Sequence, residues 1–217
     1  MAETSKWREK ITNLKKRKSD AQKMGGAEKV AKHHAKGKRD ARQRIQILLD
    51  GGAFTEVGQL AGHEVDAFVS GIGILNGHPV AIGCEDFTVK GGSIGRAESA
   101  KRYRIAELAL QERIPLIMLL EGAGHRPPLP DDPPAFRTPG DLQAQADASG
   151  RIPLATAVLG PSAGHGALSA PLADFTVMTK QASIFTAGPP LVKASLGEDI
   201  TKEDLGGPDV ALQSGVI

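Results

Sequence analysis

The sequence holds one cysteine, Cys84. No disulfide can close within the chain, a cysteine-based zinc site is disfavoured, and no metal is expected. Aromatic residues make up only 4%. Apart from Trp7, the basic N-terminal region offers no ring on which bases could stack, so no nucleic-acid partner is expected. No apolar segment follows Met1, which predicts no secretory leader and a cytoplasmic protein. Residues 152–173 lack Lys, Arg, Asp and Glu, but Pro153, Gly160, Pro161, Gly164, Gly166 and Pro171 interrupt them. A lipid-exposed helix must bond every backbone group internally, so no membrane span is expected here either.

What is plentiful is glycine (26) and proline (14), which suits many tight connections. The 217 residues, 40% apolar and 24% charged, are enough for one sizeable core with an appendage. Residues 1–50 carry 15 Lys/Arg against 6 Asp/Glu, and the remainder 12 against 19, so a basic arm precedes an acidic body. Such an arm suits a phosphorylated small molecule. Lys38, Arg39, Arg42 and Arg44, with Lys101 and Arg104 further on, are the candidate phosphate ligands. The competing reading is a solvated or subunit-packing face.

Helices are expected over residues 4–24, 27–36 and again up to Gly51-Gly52, where Ile45, Leu48 and Leu49 share a face. His33 and His34 are adjacent on a helix, point apart, and are expected on the surface. Two strand-like runs within 65–87 flank Asn76-Gly77, a strong hairpin signal. A glycine turn then opens a helix that runs to about Arg113. "PLIMLLEGAG" reads as a strand buried on both faces, and "RPPLPDDPPAF" as a proline-rich loop. A helix follows, with Thr138 as cap and Pro139 at its first position. Residues 152–159 read as another buried strand, followed by a glycine turn and a short helix. "DFTVMT" and "ASIFTA" read as strands and "PPLVKASLG" as a helix. Helices alternating with buried strands make an α/β pattern.

"GPSAG" (160–164) fits the G-x-S-x-G elbow of serine hydrolases. An elbow needs an acid and then a histidine downstream, yet the last histidine is His165, three residues on. His125 remains as a partner from an unrelated arrangement. The alternative is a role for the backbone. "LLEGAGHR" and "VLGPSAGHGAL" each follow an apolar strand and expose peptide N–H groups with little side-chain cover. One donor from each turn could hold a single oxyanion, such as a thioester carbonyl becoming an enolate. Otherwise the glycines serve only packing.

Several motifs in order carry a family resemblance. They are "KHHAKGKRDARQRIQILLDGGAFTEVG", "DFTVKGGSIG", "EGAGHR", "GPSAGHGALSAPLADFTVMT" and "AGPPLVKASLGEDITKEDLGGPDVALQSGV". The chain resembles the carboxyltransferase β subunits of biotin-dependent acyl-CoA carboxylases. The resemblance implies a crotonase-like α/β spiral of ββα turns over 52–217, preceded by a basic helical arm over 1–51. It implies transfer of a carboxyl group from carboxybiotin, held on a separate carrier protein, to the α-carbon of an acyl-CoA. The biotin itself is expected to take the α-proton, so no side-chain base is required. The backbone of Gly124, His125, Gly164, His165 and Gly166 is then expected at the thioester oxygen. Gly91, Gly92, Ala123 and Ala163 are expected in the substrate site, and Ser162 as a packing residue. His125 and His165 replace the family's usual alanine and second glycine, and Lys90 and Arg96 also depart from its pattern. The family's second crotonase-like domain does not appear before Ile217. Expected partners are therefore a C-terminal carboxyltransferase domain or subunit and a biotin carrier or biotin carboxylase subunit, in an oligomer. The alternatives are a non-catalytic scaffold subunit, or a CoA-thioester hydrolase or decarboxylase using His125 or His165.

Overall fold

Alternation of side chains along each strand determines how the molecule is layered. In a computed structural model, which describes residues 2–62, 65–127 and 140–217, Phe68 and Ala81 fall in one apolar cluster. Their neighbours Val69, Val80 and Ile82 fall in another. Leu116, Met118 and Leu120 alternate in the same way with Ile117 and Leu119. Period-2 alternation with apolar residues on both sides means that both faces of the sheet are covered. Helix α4 (Arg96–Glu112) and helix α5 (Asp141–Ala148) cover one face through Ile105, Ala106, Ala109, Ala144 and Ala148. Helix α3 (Ala41–Leu48) covers the other through Ala41 and Ile45.

The sheet has seven strands: β1 (Phe54–Glu56), β2 (Phe68–Leu75), β3 (His78–Glu85), β4 (Leu116–Gly122), β5 (Leu154–Ala163), β6 (Phe175–Met178) and β7 (Ser183–Phe185). β1, β2 and β3 pair antiparallel. From β3 onward the pairing is parallel, with α4 and α5 as crossovers. β2, β3 and α4 form one ββα turn. At the hairpin tip Asn76 and Gly77 both have positive φ, as a two-residue primed turn requires, and their N–H groups donate to the Asp50 carboxylate at 3.0 and 2.8 Å.

Three expectations change. Strand β5 continues past residue 159 to Ala163, because its second half, Pro161 to Ala163, pairs with β7. The glycine turn after it opens a 3-10 helix, Gly164–Ser169. The boundary at residue 51 follows charge rather than packing: α3 is part of the body's core, whereas α1 (Ala2–Gln22) leaves Trp7, Ile11 and Leu14 exposed. Thr138, Pro139 and most of the proline-rich loop lie outside the described residues, and α5 is preceded by Gly140. Helices α2 (Ala27–His34) and α6 (Pro189–Leu196) follow expectation, and α7 (Lys202–Gly206) and α8 (Pro208–Gln213) complete the chain. No helix among the described residues is long and apolar enough to cross a membrane.

Candidate functional site

The parallel strands β4 and β5 end side by side, with Gly122 opposite Ser162. The C-terminal ends of parallel strands are where open α/β sheets gather their binding groups. Beyond them the two glycine turns touch. Gly124 has φ 80°, and a Cβ placed on it would lie 2.7 Å from the Ala163 carbonyl oxygen. Gly164 has φ 59°, and a Cβ there would lie 3.6 Å from the Gly124 Cα. A third turn closes on the first: a Cβ on Gly92 would meet the Glu121 carbonyl at 2.4 Å, and the Ala123 N–H donates to the Gly91 carbonyl at 3.1 Å. The Gly124 carbonyl accepts from the Ile94 N–H at 2.7 Å, and the Ile94 carbonyl from the Arg126 N–H at 2.9 Å. Among the described residues, the N–H groups of Gly124 and His125 donate to no backbone carbonyl, whereas Gly166 lies inside the 3-10 helix and its N–H belongs to that helix. Ala163 closes the rim and Ala123 is exposed there.

Ser162 is fully buried within β5, and its Oγ has no partner among the described residues. It is not an exposed nucleophile at an elbow.

Beneath the turns lies a set of buried charges. Arg102, 0% exposed, donates from Nε to Asp141 (2.9 Å), from Nη1 to Glu85 (3.0 Å) and from Nη2 to the Ser169 hydroxyl (2.7 Å). Glu85 also accepts the Glu121 N–H at 2.8 Å, and burial pushes its carboxyl up. A Cβ on Gly166 would lie 2.6 Å from Glu85 Oε1, so this glycine also makes room for the carboxylate. Asp141 accepts from His165 Nε2 at 2.8 Å. Burial alone would raise the Asp141 carboxyl, but the His165 hydrogen bond and the Arg102 charge outweigh it and hold it at about 2. The His165 ring meets the His125 ring edge-on, with centroids 4.2 Å apart. Burial, with the neighbouring His165, pushes His125 down. Glu98 takes both guanidinium nitrogens of Arg126, at 2.9 and 3.0 Å, and the N–H groups of Ala67 and Gly95.

Glu121, 0% exposed, is bonded to Lys38 and Arg44, with His33 Nε2 at 3.7 Å. His33 is therefore not a surface histidine. It is 7% exposed, shares the Arg39 carbonyl at 3.2 Å, and burial pushes its imidazole down. His34 instead turns to Asp40 at 2.8 Å.

These pairings correct the expected phosphate ligands. Lys101, 5% exposed, is held by Asp66 at 2.8 Å and by the Phe68 carbonyl. Arg42 is bidentate to Glu56, Arg44 is bound to Glu121, and Arg104 reaches Glu107 on its own helix. Stripping a partner from a buried charge costs about 3–5 kcal/mol, so Arg44 and Lys101 serve the fold. Arg39 is exposed. A lysine-rich cleft of about 360 Å³ is lined by Lys29, Lys32, Lys36, Lys38 and Lys90 with Phe87, Thr88 and Gly91, Lys38 being the expected ligand that reaches it. It abuts the glycine turns through Gly91 and Glu121.

Sequence reasoning passed over Glu85, Glu121, Arg102, Asp141, Glu98 and Arg126. Two signals were present. Glu85 and Glu121 end apolar strands, and 98, 102, 105 and 109 form one helical stripe in which the first two members are charged.

The chain matches the model of the carboxyl transferase domain over residues 32–217. It is 36% identical to the propionyl-CoA carboxylase beta chain of Saccharopolyspora erythraea, over 91% of this chain and 38% of that one. It is 34% identical to the methylmalonyl-CoA decarboxylase subunit alpha of Veillonella parvula, over 92% of this chain and 42% of that one. Among solved structures, the transcarboxylase 12S hexamer with hydrolysed methylmalonyl-coenzyme A superposes with a TM-score of 0.83 at 32% identity, covering 95% of this chain and 43% of that one. The chain thus spans about two fifths of the length of these relatives. The α/β, crotonase-like fold is common to them, and the chain belongs to the carboxyl transferase domain family.

Proposed function

We propose that the chain is the acyl-CoA-binding half of a biotin-dependent carboxyltransferase, working with a C-terminal carboxyltransferase domain and a biotin carrier. The observation that carries this reading is the apposition of two glycine turns at the ends of β4 and β5, the first with the Gly124 and His125 N–H groups donating to no backbone carbonyl among the described residues. In this cradle the two turns meet backbone to backbone, with no room for a Cβ on Gly124 against the Ala163 carbonyl. The peptide N–H group of His125 and one from the start of the second turn, at Gly164-His165, hold the thioester oxygen as charge develops on it. The CoA phosphates lie in the lysine cleft, with Gly91 and Gly92 between phosphates and thioester. Carboxybiotin, when bound, supplies the carboxyl group and accepts the α-proton. Buried Glu121, Glu85 and Arg102 keep the turns in register from below.

A decarboxylase reading is favoured by one observation, the Asp141–His165 pair 2.8 Å apart beside the cradle. It requires an imidazole, whereas carboxyl transfer here requires only the backbone.

Calorimetry with propionyl-CoA, followed by carboxyl transfer with the partner domain and carboxylated carrier in chelating buffer, tests the proposal. Propionyl-CoA is expected to bind, and more weakly at high salt, since screening weakens exposed phosphate–lysine attraction. Gly124→Ala drives a methyl against the Ala163 carbonyl and demands φ 80° of an L side chain. It is expected to keep binding and the circular dichroism spectrum but lose about 100-fold or more in turnover. Absence of acyl-CoA binding with and without the partner leaves the scaffold reading. Retained turnover in Gly124→Ala removes the cradle from catalysis.

A further inference from the structure

Three segments far apart in the chain bring ligand-bearing side chains to one point beside the glycine turns. His125 follows β4, Asp141 opens α5, and His165 follows β5. One ligand atom from each lies within 4.8 Å of the other two. Asp141 is buried, His165 is half-buried and His125 is exposed, so the group has a fixed floor and an open entrance. We propose that His125, Asp141 and His165 bind one divalent transition-metal ion, zinc, with the remaining coordination position open to water or to a substrate oxygen.

The chemistry of the donor set selects the ion. Two imidazole nitrogens and one carboxylate suit borderline cations such as zinc, and disfavour magnesium and calcium, which take oxygen ligands. Three protein ligands with an open fourth position is the arrangement of zinc sites that exchange water or substrate. Ligands about 2.1 Å from a tetrahedral ion lie about 3.4 Å from one another. The three ligand atoms lie within 4.8 Å of one another, with the Asp141–His165 pair at 2.8 Å, so ion binding requires that this hydrogen-bonded pair open slightly and that the exposed His125 ring turn to meet it.

The anchoring is what distinguishes this group from a chance cluster. Asp141 Oδ2 is held by Arg102 Nε at 2.9 Å, which turns Oδ1 toward the histidines. Arg102 is fixed in turn by Glu85 at 3.0 Å and by Ser169 at 2.7 Å. The Ser99 hydroxyl reaches Oδ1 at 3.3 Å. Partners of this kind orient a metal-binding carboxylate and keep it from swinging away. The ion would stand next to the two glycine turns, but its binding does not depend on the acyl-CoA reading.

Cobalt(II), which substitutes for zinc and absorbs in the visible, provides the probe. Untagged full chain is titrated with Co²⁺, and then with Zn²⁺ in competition. One Co²⁺ per chain is expected, displaced by one Zn²⁺. His125→Ala and His165→Gly are each expected to weaken binding by about ten-fold or more in protein that stays folded by circular dichroism, with His165→Gly melting lower because buried Asp141 loses a partner. His34→Ala, which removes a histidine bonded to Asp40 elsewhere, is expected to leave binding unchanged. Failure of both ions to bind overturns the site, as does stoichiometric binding that survives both variants or is lost with His34→Ala.

Discussion

At the scale of single residues, the decisive feature is the number of ionised side chains out of solvent. A buried charge holds only where every hydrogen-bonding position is met. Glu98 shows this most completely, with Arg126 on both oxygens and the Ala67 and Gly95 N–H groups at 3.0 Å. Burial works to raise its carboxyl, but the Arg126 hydrogen bonds and the Ala67 peptide donor prevail and hold it below the usual range. A carboxyl whose folded value lies below its unfolded value contributes stability above the unfolded value, and that contribution is lost as the pH falls through the folded one. Glu98→Gln is therefore expected to lower stability by about 2 kcal/mol at neutral pH. The gap to the parent protein should close as the medium is acidified below the ordinary carboxylate range. Chemical denaturation at neutral and acid pH measures it, and a gap that widened in acid would contradict the assignment. The charged stripe of α4 was legible in the sequence as a helical period. Its direction was not, because charge alone does not say which face of a helix is buried.

At the scale of elements, α3 is where charge and packing part company. Its sequence is that of a basic helix, yet Asp40 caps it by accepting from the Gln43 N–H at 2.9 Å, and Ala41, Ile45 and Leu49 enter the core. Arg42 and Arg44 on the same helix turn inward to Glu56 and Glu121. α3 therefore holds the floor of the glycine turns as well as one face of the sheet. Ile45 is 2% exposed, and Ile45→Ala is expected to destabilise the protein by about 2–5 kcal/mol. Thermal unfolding checks this. A loss below 0.5 kcal/mol would return α3 to the status of a detachable arm. The apolar positions 45, 48 and 49 already pointed to one buried face, while the excess of lysine and arginine obscured it.

At the scale of the whole molecule, several large apolar side chains of the C-terminal elements remain exposed. Phe175 is 65% exposed on β6, and Val177, Leu191, Leu196 and Leu212 are exposed with it. The relatives are more than twice as long as this chain. On the proposed function, Phe175 of β6 is expected to contact the partner carboxyltransferase domain. Phe175→Lys should weaken the association with that domain about ten-fold or more, seen by calorimetry, without changing the melting of the chain alone. Unchanged affinity would move the interface elsewhere. The sequence by itself determined the elements that local chemistry governs. These are the hairpin at Asn76-Gly77, the alternation that makes β2 to β5 two-sided, and the glycine turns after β4 and β5. Each depends on torsional preference or on a period of two to four residues, which a linear sequence displays. The tertiary structure alone decided which cations are free and which are engaged, since Lys38 and Arg44 meet Glu121 across 83 and 77 positions. It also decided that His125, Asp141 and His165 share one site. Such meetings arise from parallel strands ending at the same level, and no local preference along the chain encodes that distance.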